Sequence, residues 1–312
     1  MNWNVFDHTI RPDPSVFHSR NDALDRRLGE AVARTAERYD DADVVILGCP
    51  QDVGVRRNRG RAGARGAPDA IRRMLYTFPV TEKISRHALF DLGDVSVDGS
   101  LEEIHQRQRR IVRQLLADGK TIVVLGGGND ISYPDGRALA QVVPDCLAFN
   151  IDSHFDVRAD EPRNSGTPYR QLMEGGFLLP ANFYELAVKE DVNAPAYRRY
   201  VDRKGVHVFT LEEMRQRDPE RLVSTILKER RAGAIFWGFD LDAVRTVDAP
   251  GVSATYPIGL TADEICTLAR LAGSDARSRI LEISEVNPRY DVDRRTCRLA
   301  AMMIIYFLGA MP

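Results

Sequence analysis

Residues 147–156, Leu147-Ala148-Phe149-Asn150-Ile151-Asp152-Ser153-His154-Phe155-Asp156, open as an apolar run and close with ligand-type side chains at every second position. The apolar half reads as a buried strand. In extended backbone, residues two apart point to the same side, so Asp152, His154 and Asp156 are expected to converge where the strand ends. Two carboxylates and an imidazole suit a divalent ion such as Mn2+. A lone D-x-H-x-D would also read as a strand running into a polar turn. Here Asp240-Leu241-Asp242 follows a second apolar run, and Gly126-Gly127-Gly128-Asn129-Asp130 follows a third. Three polar strand ends in one chain favour the metal reading.

The same pattern extends in both directions. Val44-Val45-Ile46-Leu47-Gly48 is a continuous apolar run, as in a strand covered on both faces. Further strands are expected over 88–92, Thr121–Leu125, 147–151, Phe183–Val188, 206–210, 234–239 and 279–283. A helix is expected from Asn21 through Leu24, Leu28, Val32 and Ala36, where apolar residues recur at helical spacing. Pro68 suits the first turn of another helix. Ser100-Leu101-Glu102-Glu103 is a capping box opening a third, and Thr261-Ala262-Asp263-Glu264 starts one in the same way. Helices are also expected over 131–143, 211–217, 219–231 and 294–308.

Eight strands, mostly separated by helices, indicate an α/β fold with a parallel sheet. Eight strands also close a barrel, and periodicity does not separate the two. No internal repeat, low-complexity tract or Gly/Ser linker divides the chain, so residues 1–312 read as one domain. Residues 1–20, polar and with Pro12 and Pro14, read as a surface arm.

The formal net charge of -2 gives no electrostatic case for nucleic acid or an anionic membrane. No apolar run reaches the roughly 18 residues of a membrane span. The start of the chain lacks the basic-then-apolar pattern of a signal peptide. Cys49, Cys146, Cys266 and Cys297 are far apart and form no C-x-x-C pair, which points to reduced thiols and a cytoplasmic protein. Between Gln51 and Gly66 lie five arginines, Arg56, Arg57, Arg59, Arg61 and Arg65. Such a run is either solvated surface or, just past a strand of an open sheet, a ligand-facing loop.

The chain resembles the ureohydrolases (arginase, agmatinase and formimidoylglutamase) from about Cys49 to Ala301. Its motifs are the Gly-rich strand end, D-x-H-x-D and D-x-D, in that order. Within the family it is most similar to the formimidoylglutamases, through Asn58-Arg59-Gly60-Arg61-Ala62-Gly63-Ala64, Ser165-Gly166-Thr167-Pro168-Tyr169, Ala249-Pro250-Gly251-Val252-Ser253-Ala254 and Glu285-Val286-Asn287-Pro288. No histidine lies between His154 and His207, where arginases carry a substrate-binding one. The resemblance implies an open three-layer α/β/α fold with an eight-stranded parallel sheet, two Mn2+ ions, and a homo-oligomer, trimer or hexamer.

The resemblance also assigns roles. Asp152 and Asp240 would bridge the two metals, Asp156 would complete one site, and His154 and Asp242 the other. Four carboxylates matched by two divalent cations balance in charge; left unpaired in one pocket they would repel and take up protons. The family carries a histidine ligand at the Gly-rich strand end, where this chain has Asn129. A carbonyl oxygen is a poorer donor than imidazole to a transition metal, so that site is expected to be weak. Asp130 next door is expected to cap the following helix, with a role as substitute ligand as the alternative.

Two ions sharing a water would lower its pKa and hold hydroxide ready to attack an amidine or guanidinium carbon. Glu285 would orient the cationic nitrogen and Asp156 would shuttle a proton to the leaving nitrogen. Arg61, Arg158, Asn164 and Ser165 are candidate donors to substrate carboxylates, with Arg158 alternatively paired to Asp160. The expected substrate is N-formimidoyl-L-glutamate. Another guanidino acid, or a non-catalytic pocket, is the alternative. His8, His18, His87, His105 and His207 read as surface or core residues outside the site.

Overall fold

A computed structural model describes residues 3–312. Nine strands form one sheet: β1 (Thr9–Ile10), β2 (Val44–Gly48), β3 (Leu89–Val95), β4 (Thr121–Leu125), β5 (Cys146–Ile151), β6 (Phe183–Val188), β7 (His207–Thr210), β8 (Ala234–Asp240) and β9 (Ser278–Ser284). Their order across the sheet is β1-β3-β2-β4-β9-β8-β5-β6-β7. All pairings are parallel except β1 on β3. The sheet ends at β1 and β7 without closing, so the barrel alternative falls away.

Alternation along the buried strands sorts the core into two layers. Val44, Ile46, Val123, Leu125, Phe149 and Trp237 face one side, where they meet residues of the helices Ala67–Leu75, Ala262–Ser274 and Arg295–Leu308. Val45, Leu47, Ile122, Val124, Ala148 and Phe236 face the other, against the helices Leu101–Ala117, Ser132–Val142 and Pro168–Glu174. The result is the expected α/β/α sandwich. Both capping boxes form: Ser100 accepts from the Glu103 N–H while Glu103 accepts from the Ser100 N–H, and Thr261 and Glu264 repeat the pattern.

Two expectations need correction. The sheet has nine strands rather than eight, because β1 lies inside the segment read as an arm. Val5 and Val16 of that segment are buried, so it is packed into the fold as well as lying over it. The helix expected from Asn21 reduces to Leu28–Ala31. Asn21 has φ 54°, Leu24 is 98% exposed, and the Leu28, Gly29 and Ala33 N–H groups donate to Phe78, Tyr76 and Leu89 carbonyls. Those partners outcompete the intrahelical ladder, and the apolar spacing that suggested a helix is coincidental.

Arg72 anchors the start of the fold. Fully buried on the helix after the Arg-rich loop, it forks onto both Asp91 oxygens at 2.9 and 3.0 Å and also reaches Asp94 at 2.5 Å on β3. Gly127 lets the loops after β4 and β2 touch: a Cβ there would stand 1.7 Å from the Gln51 carbonyl oxygen.

Candidate metal centre

Four adjacent strands at the middle of the sheet, β4, β9, β8 and β5, deliver the site from their carboxyl ends, where open α/β sheets hold their ligands. Asn129 follows β4, Glu285 follows β9, Asp240 closes β8 with Asp242 two residues on, and Asp152, His154 and Asp156 follow β5. The strand stops at Ile151, so the D-x-H-x-D segment converges by bending rather than by extended alternation. Asp156 sits at φ 46° and Glu285 at φ 62°, left-handed conformations that cost a non-glycine residue energy and gather at functional sites.

One ligand atom from each of Asp152, His154 and Asp156 lies within 4.8 Å of the others, and the same holds for Asp152, Asp240 and Asp242. Asp152 belongs to both groups. His154 Nδ1 stands 3.3 Å from Asp152 and 3.2 Å from Asp242, while its Nε2 is 3.0 Å from the Tyr256 hydroxyl. The His154 N–H donates to Asp152 at 2.7 Å and the Asp242 N–H to Asp240 at 2.8 Å.

Asn129 joins the group as a hydrogen-bond donor. Its Nδ2 donates to Asp156 at 2.7 Å, while its Oδ1 accepts from Ser132 at 3.0 Å and Ser284 at 2.9 Å. Its backbone N–H donates to Glu285 at 2.8 Å. Asp130 turns away from the site to Gln51 (2.8 Å) and the buried His105 (2.7 Å), and it caps no helix.

The electrostatics are those of a crowded acidic pocket. Burial, with the charge of Asp242 beside it, pushes the Asp152 carboxyl up to about 6. Burial and neighbouring carboxylates push Asp156 and Asp240 well above the usual range. Burial works against His154 protonation, yet the charges of Asp242 and Asp152 outweigh it and raise the imidazole. Asp242 is held low despite burial, chiefly by His154. Burial lifts Glu285 to about 8. Asp242 Oδ1 and Glu285 Oε2 are buried with no hydrogen-bond partner. A buried carboxylate oxygen left without a partner is costly, and two divalent cations among four aspartates would remove both the repulsion and the orphaned acceptor. The donor set of carboxylates and one imidazole fits Mn2+.

Above this floor opens a cavity of about 370 Å³, within the range of small-molecule sites. His154, Asp156, Asp240, Asp242 and Glu285 line its base, and Arg59, Arg61 and Arg158 its walls. Arg61 donates to the Val252 carbonyl, lies 4.4 Å over the Tyr290 ring, and has its own carbonyl held by Asn287 at 2.9 Å. Arg158 makes no ion pair with Asp160; its guanidinium sits 5.5 Å from the Tyr197 ring. Asp160 instead accepts from Asn164 at 3.1 Å. Ser165 lines the cavity and accepts from Asn58 at 3.0 Å, whereas Asn164 is buried in its own loop and braces Gly166 without lining the cavity. Of the other arginines in the loop, Arg57 pairs with Glu102 and Arg56 with Asp52. Sequence reasoning missed Asn58, Asn193, Tyr197 and Tyr256, which come from segments with no ligand-type spacing.

The Arginase family model matches residues 42–309, and the chain belongs to that family. Among curated relatives it is 34% identical over 288 residues to a formimidoylglutamase of Paraburkholderia xenovorans (strain LB400), covering 86% of this chain and 88% of that one. It is 30% identical over 310 residues to a formimidoylglutamase of Ralstonia nicotianae, covering 94% of each. Among solved structures, Trypanosoma cruzi formiminoglutamase with Mn2+2 superposes with a TM-score of 0.86 at 34% identity, over 92% of this chain and 100% of that one. The formimidoylglutamase of Bacillus subtilis gives a TM-score of 0.87 at 26% identity over 94% of each chain.

Proposed function

We propose that the protein is a metal-dependent amidine hydrolase that converts N-formimidoyl-L-glutamate and water into L-glutamate and formamide. The observation that carries this is an acidic centre of four aspartates and one histidine set beneath an arginine-walled cavity. The names of the relatives agree with it.

Asp152 and Asp240 would be shared between two Mn2+ ions, with Asp156 and Asn129 completing one set and His154 and Asp242 the other. Divalent ions bound there supply a water of lowered pKa. The chain's own groups do the rest. Arg158, free of any carboxylate partner, and Arg61 hold the substrate carboxylates at the cavity wall, with Ser165 as a neutral donor. Glu285, a lining residue of the same cavity, accepts from the amidinium N–H and sets the reacting carbon. Asp156 would take a proton from the attacking water onto its carboxylate and hand it to the glutamate nitrogen as the C–N bond breaks. Asn129 can serve as a ligand only by turning its oxygen away from Ser132 and Ser284, so its set is the weaker of the two and activity rises with added Mn2+.

We read residues 1–312 as one domain, since the single sheet draws strands from residue 9 to residue 284. A cytoplasmic homo-oligomer, trimeric or hexameric, completes the reading; four free, buried cysteines fit a reducing compartment. No helix among the described residues is long and apolar enough to cross a membrane. The test is formamide release from N-formimidoyl-L-glutamate by Mn2+-loaded protein. Turnover of a guanidino acid with no turnover of this substrate would transfer the activity to the guanidino class. Inertness toward both at saturating Mn2+ would leave a binding pocket in place of a catalyst.

A further inference from the structure

We infer that Tyr256 is a positioning residue for His154: its hydroxyl engages Nε2 and so commits Nδ1 to the aspartates of the centre. The inference rests on the metal reading above. Nδ1 faces Asp152 and Asp242 at 3.3 and 3.2 Å, and Nε2 meets the Tyr256 hydroxyl at 3.0 Å. A neutral imidazole carries one N–H, and a histidine that binds metal through one nitrogen presents that proton on the other, where a fixed acceptor orients the ring. Here the acceptor is a phenol from a different strand end. Nothing in the D-x-H-x-D motif supplies it.

The segment carrying Tyr256 is built to hold it still. It leaves β8 at Asp240 and is closed at its base, where the Leu260 N–H donates to Ala243 (2.8 Å) and the Arg245 N–H to Leu260 (3.0 Å). Inside that closure the Thr246 N–H and hydroxyl both donate to the Tyr256 carbonyl, at 2.8 and 2.7 Å. From the end of β6, Lys189 Nζ lies 4.1 Å over the Tyr256 ring and donates to the Ile258 carbonyl at 2.8 Å. The ring is thus pinned by backbone on one side and by a cation on its face. Tyr256 does not line the cavity, so it reaches the chemistry only through His154. One strap after β8 therefore carries a ligand, Asp242, at its start and the clamp for the β5 ligand further on.

The experiment uses full-length, metal-depleted protein titrated with Mn2+ alone, with the paramagnetic resonance of the bound ions as a second readout. Tyr256→Phe keeps the ring and the Lys189 contact and removes only the hydroxyl. The expected result is Mn2+ bound about tenfold or more weakly in the His154 set, in line with losses seen when an orienting partner is removed. The paramagnetic resonance of the Mn2+ held in the His154 set should differ from wild type, with the melting temperature of the metal-depleted protein unchanged. His154→Gln is the companion variant. If it leaves Mn2+ affinity intact, His154 is no ligand and the metal reading of this residue fails. If His154→Gln weakens Mn2+ while Tyr256→Phe binds it like wild type with the same resonance spectrum, the positioning inference alone is overturned.

Discussion

Asp240 and Asp242 differ by two positions and, in the assignment proposed here, by the number of ions each serves. Asp240→Asn removes a charge shared by both ions, so it should abolish activity and Mn2+ binding together. Asp242→Asn should mainly empty the set containing His154. Metal analysis finding two tightly held ions in Asp240→Asn would rule out the shared role. At Asn129 a neutral donor can be replaced by a better one. Asn129→His restores an imidazole without altering the charge of the pocket, and should tighten the weaker ion by about tenfold or more. Calorimetric Mn2+ titration of both proteins decides it, and equal affinities would mean that Asn129 already suffices or takes no part. Asp240 and Asp242 were legible because D-x-D, like D-x-H-x-D, puts ligand types at fixed short spacing, whereas Asn129 was legible only through the family resemblance at the Gly-rich strand end. Asn164 was a sound donor on paper, but the fold turns its Nδ2 to Asp160 while its Oδ1 accepts from the Gly166 N–H. Tyr256 and Asn58 were invisible because their value comes from contacts across about a hundred residues of chain, with His154 and Ser165.

At the scale of elements, β2 to β9 announced themselves by apolar runs bounded by Gly, Pro or acidic residues, with β7 only half-buried. Capping boxes at Ser100 and Thr261 marked helix starts to the residue. The exceptions were elements whose conformation is decided by partners. The two residues of β1 carry no period, and 21–36 kept a helical period while its N–H groups went to Phe78, Tyr76 and Leu89. The helix Ala67–Leu75 shows how an element that contributes nothing to the site still sets it. Arg72 bolts it to β3 through Asp91 and Asp94, and the Arg-rich cavity wall is the chain leading into it. Arg72→Met leaves buried Asp91 without its counter-charge. Removing one partner of a buried ion pair costs about 3–5 kcal/mol, so the urea midpoint should fall accordingly. A shift under about 1 kcal/mol would show that Asp91 is adequately held by Tyr76.

For the whole molecule the acidic centre makes stability depend on pH and metal together. Asp152, Glu285, Asp156 and Asp240 have folded-state values raised above those of the unfolded chain. Through that window the native state binds more protons, so stability falls as pH rises. Asp152 contributes from the ordinary carboxylate range up to about 6, and Glu285 up to about 8. His154, also raised, loses its contribution in the same direction. Asp242, held low, opposes them only in acid. Metal-depleted protein should therefore melt at a lower temperature near pH 8 than near pH 6. Because Mn2+ competes with protons for these carboxylates, the rise in melting temperature on adding it should be larger near pH 8. Equal gains at both pH values would mean that the carboxylates are ionised without metal.

The two margins of the sheet have a consequence of their own. One ends in the two residues of β1, laid antiparallel on β3, and the other in the four residues of β7. A passing polypeptide hunting for unpaired N–H and C=O groups gains only a rung or two of ladder at either side. The seven largely buried strands between them are thereby kept from templating further strands, the hazard that exposed sheet edges carry. The N-terminal segment guards one border against the protein's own copies.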